Sequence, residues 1–181
     1  MDIAKLIAGR VKEFQLHPLG FFYLYLADRG DMKERVHVWT SDLGIADNEY
    51  HSHSFDISSK ILKGKMRTGV YSFLENKFGK FYQYTVSYQN SESKLERTEV
   101  RGSLEVSVEF DNSPGTEYFL SAGIIHKVQI LSAPCISVLK TYEKNKEIFS
   151  YGETKDIEPP FTRRLVNNSE ADEISEVLAS V

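Results

Sequence analysis

From Phe21 to Tyr142 the chain is a succession of short segments whose apolar residues recur at every second position, separated by turn-forming residues. Period two marks a β-strand with one buried and one solvated face. The clearest case runs from Val100 to Phe110. Val100, Leu104, Val106, Val108 and Phe110 share one face there, and Glu99, Arg101, Ser103, Glu105, Ser107 and Glu109 share the other. This predicts a long antiparallel strand with one wet side. Further strands are expected over Phe21 to Leu26, Arg35 to Thr40, Tyr50 to Phe55, Ile57 to Leu62 and Met66 to Phe73. Others follow over Phe81 to Tyr88, Tyr118 to Leu120, Ile124 to Leu131 and Ile136 to Tyr142. Asp28-Arg29-Gly30-Asp31 and Asp111-Asn112-Ser113-Pro114-Gly115 are turns by composition, and Ser91 to Arg97 reads as a charged hairpin tip. Many short strands with helices only at the ends make an all-β sandwich or barrel, one domain of residues 1–181 whose barrel core is residues 20–142.

Helical spacing is confined to the termini. Ile3, Leu6, Ile7, Val11 and Phe14 fall on one face of a helix expected over residues 1–16, capped by Asp2 and stopped by His17-Pro18-Leu19-Gly20. Residues 143–181 cross in extended form at Pro159-Pro160. They end in a helix capped by Asn168 or Ser169, with Ile174, Val177 and Leu178 on its buried stripe. That cap is the reading preferred for Asn167-Asn168-Ser169 over a glycosylation sequon. The tail also carries the net charge. The 181 residues hold 22 Lys+Arg and 26 Asp+Glu, a formal −4, and nine acids against five bases lie beyond Tyr142. The remainder is balanced, which argues against nucleic-acid binding. Phe14 to Ala27, the longest uncharged apolar stretch, is broken by His17, Pro18 and Gly20. A spanning helix needs about 20 mainly apolar residues, so no membrane partner is expected. Charges interrupt any signal-peptide core, and the single cysteine forbids an internal disulfide. A cytoplasmic address is expected.

Five histidines occupy positions 17, 37, 51, 53 and 126. His51 and His53 stand two apart on an expected strand, so both imidazoles project from one face and can share a metal ion. Gly44 precedes the pair and Gly64 follows it; later come Gly115, Gly123 and His126. These residues resemble the two-motif signature of the cupin superfamily. Its first motif sets a glycine before an HxH pair and a glutamate and glycine after it; its second runs Gly, Pro, Gly, His, Asn. Gly44 lies one residue further from the pair than the pattern asks. Gly64, Gly115, Gly123 and His126 are in register, while Ile57, Ser121 and Ile130 stand at the glutamate, proline and asparagine positions.

The resemblance implies a double-stranded β-helix with short helices at both termini. It also implies a divalent metal on His51, His53 and His126, without the usual carboxylate. Glu49 shares a face with His51 and is the better substitute; Asp56 should point away from Ile57's side. Three neutral ligands leave the full charge on a divalent ion, with open positions for an anionic substrate and dioxygen. Within the cupins this resembles the thiol dioxygenases, which use three histidines on Fe(II), so Fe(II) is the expected cofactor of an enzyme. Zinc and nickel also suit imidazole. Arg35-Val36-His37-Val38-Trp39 and Gly123 to Val128 are loosely similar to that group.

Other residues have two readings each. His37 and Trp39, with Arg35, either line the cavity or face outward if Val36 and Val38 are core, and the alternation favours the second. Tyr82, Tyr84, Val86 and Tyr88 share a face that is a ligand-stacking surface or, preferably, ordinary sheet lining. Arg67 either fixes a substrate carboxylate or is a solvated cation. His37, Trp39, Arg67 and Tyr84 are thus the candidate substrate contacts. His17 reads as a loop residue and Cys135 as a buried, inert thiol. The expected function is a metal-binding cupin acting on a small molecule, as a dioxygenase, a non-catalytic binder or a dimerising scaffold. A homodimer would use an outer strand face.

Overall fold

Two long strands organise the chain. In the computed structural model, which describes residues 7, 9–40, 50–89, 92–153 and 161–180, the segments around Ile57 and Met66 merge into one strand. It is Phe55–Glu75, here β5 in a numbering that follows chain order. The segments around Ile124 and Ile136 likewise merge into β9, Ile125–Glu143. These two pair antiparallel from Phe55 opposite Glu143 to Tyr71 opposite Ile125.

Their outer edges take different neighbours at the two ends. The second half of β9 pairs with β3 (Met32–Trp39), which pairs with β2 (Phe22–Asp28) and through it with β1 (Gln15–Leu16). The first half of β9 pairs with β4 (Tyr50–His51). The first half of β5 takes β8 (Glu117–Leu120), and its second half takes β7 (Glu92–Asn112). From β7 the circuit continues through β6 (Phe81–Gln89) and β10 (Phe149–Gly152) to β4. It closes on β9, and β11 (Phe161–Thr162) is a short addition to β7. The result is a closed antiparallel barrel, the double-stranded β-helix expected above, and closure removes most free edges.

The corner at which β5 and β9 change direction is set by Gly64. Three register shifts cluster between Ile61 and Met66. Gly64 has φ +75°, and a Cβ there would lie 2.5 Å from the carbonyl oxygens of Pro134 and Ser132. Only glycine allows that backbone at that approach.

A second irregularity corrects the most regular sequence signal. Val70 pairs with Val108 but Tyr71 with Val106, leaving Ser107 as an unmatched residue. The bulge inverts the parity. Leu104 and Val106 lie on Tyr71's side of the sheet, whereas Val108 and Phe110 lie on Val70's. Val106 is 58% and Val108 50% exposed. The predicted charged hairpin tip is also mostly strand, since Glu92 to Arg97 pair with β6.

The sheet containing β2, β3 and the second half of β9 is buried on both faces. Outside it, Phe22, Leu24, Val36, Val38, Ile136 and Val138 pack under Ile7, Val11 and Phe14 and under Ala171, Ile174 and Leu178. The last three lie on α1, Asn168–Ala179. Asn167, not Asn168 or Ser169, caps α1: its side chain accepts from Glu170 N–H while the Glu170 carboxylate accepts from Asn167 N–H, a capping box. The amino-terminal helix does not reach residue 16. The described residues show one 3₁₀ turn, Val11–Glu13, after which Phe14 is extended and Gln15–Leu16 join β2. Asp2, Ile3, Leu6, Gly44, Glu49, Ser91, Pro159 and Pro160 lie outside the described residues. No helix among the described residues is long and apolar enough to cross a membrane.

Gly64→Ala is expected to lower stability by about 2 kcal/mol or more, because the added methyl meets backbone rather than a yielding side chain. Gly115→Ala should lose only about 1 kcal/mol, since φ is +89° there but nothing lies within 4 Å of the added carbon. Urea unfolding of both variants checks this; equal losses would show that the corner has slack.

Candidate metal centre and its cavity

His51 and His126 are direct cross-strand partners, joining β4 to β9. Such partners hold their Cβ atoms about 5 Å apart on one face. His53 reaches the same face two residues on, because Ser52 between them is turned away and tied down. Ser52 N–H donates to Phe149 O at 2.8 Å, and its Oγ accepts from Phe149 N–H at 3.0 Å. Gly123, at φ +82° in the turn before β9, donates its N–H to His53 O at 2.9 Å and so locks the two motifs together. Asp56 anchors the same turn by accepting from Ala122 N–H at 2.8 Å. Its carboxylate also lies 3.6 Å from Lys144 Nζ, on the side away from the histidines, while Ile57 beside it lines the cavity.

The ring centroids of the three histidines lie 4.5 to 5.0 Å apart. One nitrogen from each falls within 4.8 Å of the others. Three ligands of a tetrahedral ion, with bonds of about 2.1 Å, stand about 3.4 Å apart, so modest imidazole rotations bring this set onto one ion. The protonation states fit as well. His126 Nδ1 lies 3.1 Å from Ile124 O, a contact that requires the proton on Nδ1 and leaves Nε2 bare. Burial, reinforced by the neighbouring imidazoles, holds His53 well below the usual histidine range and His126 at about 3. Both are neutral at pH 7, as a ligand must be.

The cluster opens on a cavity of about 70 Å³ inside the barrel, walled by apolar side chains that include Phe21, Trp39, Ile57, Leu120 and Leu139. His17, Leu19, His51 and His53 also border a second space of about 100 Å³ toward β6, β7 and Arg163. His51 and His53 therefore border two adjoining spaces.

Of the candidate substrate contacts, His37 and Trp39 line the inner cavity with Arg35. The outward reading of this face is corrected: Val36 and Val38 are core, but on the outer side of β3 beneath the terminal segments. Both faces of the strand are therefore buried. Arg67 does not line the cavity. It is on the outer surface, donating from Nε to Asp111 at 2.8 Å. Tyr84 is buried on β6 beside Gly152 and lines neither chamber.

Three lining residues with polar groups escaped the sequence reading. His17 is no plain loop residue: its ring stacks on Phe21 at 4.2 Å, and its Nδ1 accepts from Leu19 N–H at 3.1 Å. Ser137 is the cross-strand partner of His37, and Tyr118 completes the set. Tryptophan opposite valine in β3 was the available signal, since neither face of that strand is polar throughout. Cys135 is fully buried, with its thiol pushed up to about 12 by burial, which disfavours the thiolate.

No protein-family model matches the chain, and no curated protein does. Among solved structures it is similar to a cupin superfamily protein from Desulfitobacterium hafniense. The identity is 14% over 79% of this chain and 88% of that one, with TM-score 0.38. It is similar to a cupin-like protein from Thermotoga maritima at 10% identity, over 88% and 86% of the two chains, with TM-score 0.31. It is also similar to hydroxypropylphosphonic acid epoxidase from S. wedmorenis at 10% identity and TM-score 0.41. That match covers 67% of this chain and 50% of the epoxidase, so the chain spans about half its length. The closed barrel and its three inward imidazoles make a cupin-like fold with a candidate divalent-metal centre.

Burial also lowers His17 and His37 well below the usual range. An imidazole that stays neutral in the fold, but titrates at about 6.5 when unfolded, leaves the unfolded chain binding more protons in acid. Metal-free protein should therefore lose stability as pH falls below about 6.5, by up to about 1.4 kcal/mol per pH unit per such histidine. His37→Phe should narrow the stability difference between pH 7 and pH 5 by about 2 kcal/mol. Chemical denaturation at both pH values checks this, and an unchanged difference would show that His37 does not contribute.

Proposed function

We propose that this chain is a metal-dependent cupin enzyme, a dioxygenase using Fe(II) on a small molecule held inside the barrel. The observation that carries the reading is the convergence of one nitrogen each from His51, His53 and His126 within 4.8 Å, at the wall of a mainly apolar cavity. No carboxylate lines that cavity among the described residues, and three imidazole ligands would leave a divalent ion its full charge. When bound, iron would supply the one-electron chemistry by which dioxygen is activated.

The chain's own residues do the rest. His51, His53 and His126 hold the ion, with Ile124 O fixing the tautomer of the last. Phe21, Trp39, Ile57 and Leu139 exclude water and confine the organic part of the substrate. Zinc and nickel fit the same donors, and a non-catalytic ligand binder is the second reading.

Protein purified without added metal should contain about one iron per chain, lost in both His51→Ala and His126→Ala. Absence of bound metal in the wild type, even after reconstitution with Fe(II), zinc or nickel, would overturn the metal centre. Oxygen consumption by the iron-loaded protein with small thiols and carboxylic acids separates the enzyme from the binder.

A further inference from the structure

A groove of about 350 Å³, where the end of β5 meets β6 and β7, shares no lining residue with the histidine chamber or the space beside it. Its charged side chains are Lys77, Arg97 and Arg101 against Glu75 and Glu99. An irregularity in the sheet gathers them. Tyr82 pairs with Arg101 and Tyr84 with Arg97, so β7 advances four residues where β6 advances two. Thr98 ties this bulge down. Its Oγ1 donates to Gln83 O at 3.2 Å and accepts from Val100 N–H at 3.1 Å. Both guanidiniums consequently reach one ring, Arg97 at 5.8 Å and Arg101 at 4.8 Å from the Tyr82 centroid.

The neighbouring turn is fixed to the same strand. Gly79 lies so close to Gly102 that a Cβ on it would overlap the Gly102 carbonyl. Asn76 N–H donates to Arg101 O at 2.8 Å, and Gly79 N–H to Asn76 O at 2.8 Å. That turn carries Lys77 to the groove. Arg101 is half-buried, and its Nε is a buried donor with no partner among the described residues. Arg101, Lys77, Glu75 and Glu99 enter no ion pair among the described residues. A phosphomonoester carries nearly two negative charges at pH 7 and three acceptor oxygens, which suits two guanidiniums and an ammonium. Glu75 and Glu99 repel an anion laid on them, but ionised carboxylates accept from hydroxyl groups. At about 10–15 Å³ per water-sized position, a groove of about 350 Å³ exceeds what inorganic phosphate alone fills. A ligand matched to the whole groove puts phosphate at the cations and hydroxyls at the acids.

We propose that Lys77, Arg97 and Arg101 form a phosphate-binding site for small polyol phosphates, whose hydroxyls are received by Glu75 and Glu99. Arg101 Nε–H donates to a phosphate oxygen, Arg97 and Lys77 add charge, and the Tyr82 ring steadies both guanidiniums. A neutral polyol lacks the anion and inorganic phosphate lacks the hydroxyls, so each satisfies half of the groove. The site is separate from the histidine centre and does not depend on whether that centre holds a metal.

Calorimetric titration of the full chain at low salt, where exposed charges are least screened, tests it with ribose 5-phosphate, ribose and inorganic phosphate as probes. Ribose 5-phosphate is expected to bind saturably, inorganic phosphate at least about fivefold more weakly, and ribose not measurably. Arg101→Met should weaken ribose 5-phosphate at least about tenfold, with Arg101→Lys between it and the wild type because the charge remains but the planar fork is lost. Replacing Glu75 and Glu99 together by alanine should bring ribose 5-phosphate and inorganic phosphate to within about twofold of each other. His51→Ala should bind ribose 5-phosphate as the wild type does. Loss of that binding in a folded His51→Ala would put the ligand in the histidine chamber and overturn the site. So would equal binding of ribose 5-phosphate and inorganic phosphate, no saturable binding of ribose 5-phosphate, or full binding by a folded Arg101→Met. The wild-type comparison of the three probes decides the matter even if a variant fails to fold.

Discussion

Pairing of β5 with β9 is the interaction on which the rest of the structure depends. Each strand enters the circuit twice, with one neighbour before its bend and another after it. The barrel closes because both bend at the same place, where Gly64 lies against the backbone of Ser132 and Pro134. The bend also divides labour. The first half of β9 brings His126 opposite His51, and the second half brings Ser137 opposite His37. A three-histidine cluster and a polar wall in one chamber are consequences of two strands changing direction together.

A strand that is apolar on both faces must be covered twice. Val36 and Val38 are covered by the terminal segments, while Arg35, His37 and Trp39 are left inside the barrel. Burying imidazoles, a guanidinium and a hydroxyl in an apolar chamber opposes folding unless each is neutral or partnered. The histidines meet this by staying unprotonated. Arg35 cannot, and the chamber keeps a fixed charge beside neutral potential ligands. Local rules are broken in this way where a protein binds something, with the rest of the fold compensating.

The net charge lies apart from this chemistry. All of the −4 resides beyond Tyr142, where α1 carries Glu170, Asp172, Glu173 and Glu176 on a helix whose other side covers the outer core. The overall acidity therefore describes a surface, and the chamber has the opposite character.

Much of the site was legible in the residues alone. His51 and His53 share a face because strand side chains alternate, and Gly64 and Gly123 mark positions of positive φ that only glycine fills readily. The cap of α1 was legible to within one residue, because a side-chain oxygen and a glutamate three residues later are local matters. What only the tertiary structure decided is non-local. A bulge at Ser107 inverts the parity of the most regular strand, and alternation cannot foresee it because the extra residue is defined only against its partner. Arg67 was a plausible anchor until Asp111, 44 residues away, claimed it on the outer surface. His37 and Arg35 face inward because distant terminal segments cover the other side of β3. Alternation establishes which residues lie together on a face; only packing against the rest of the chain establishes which face is the inside.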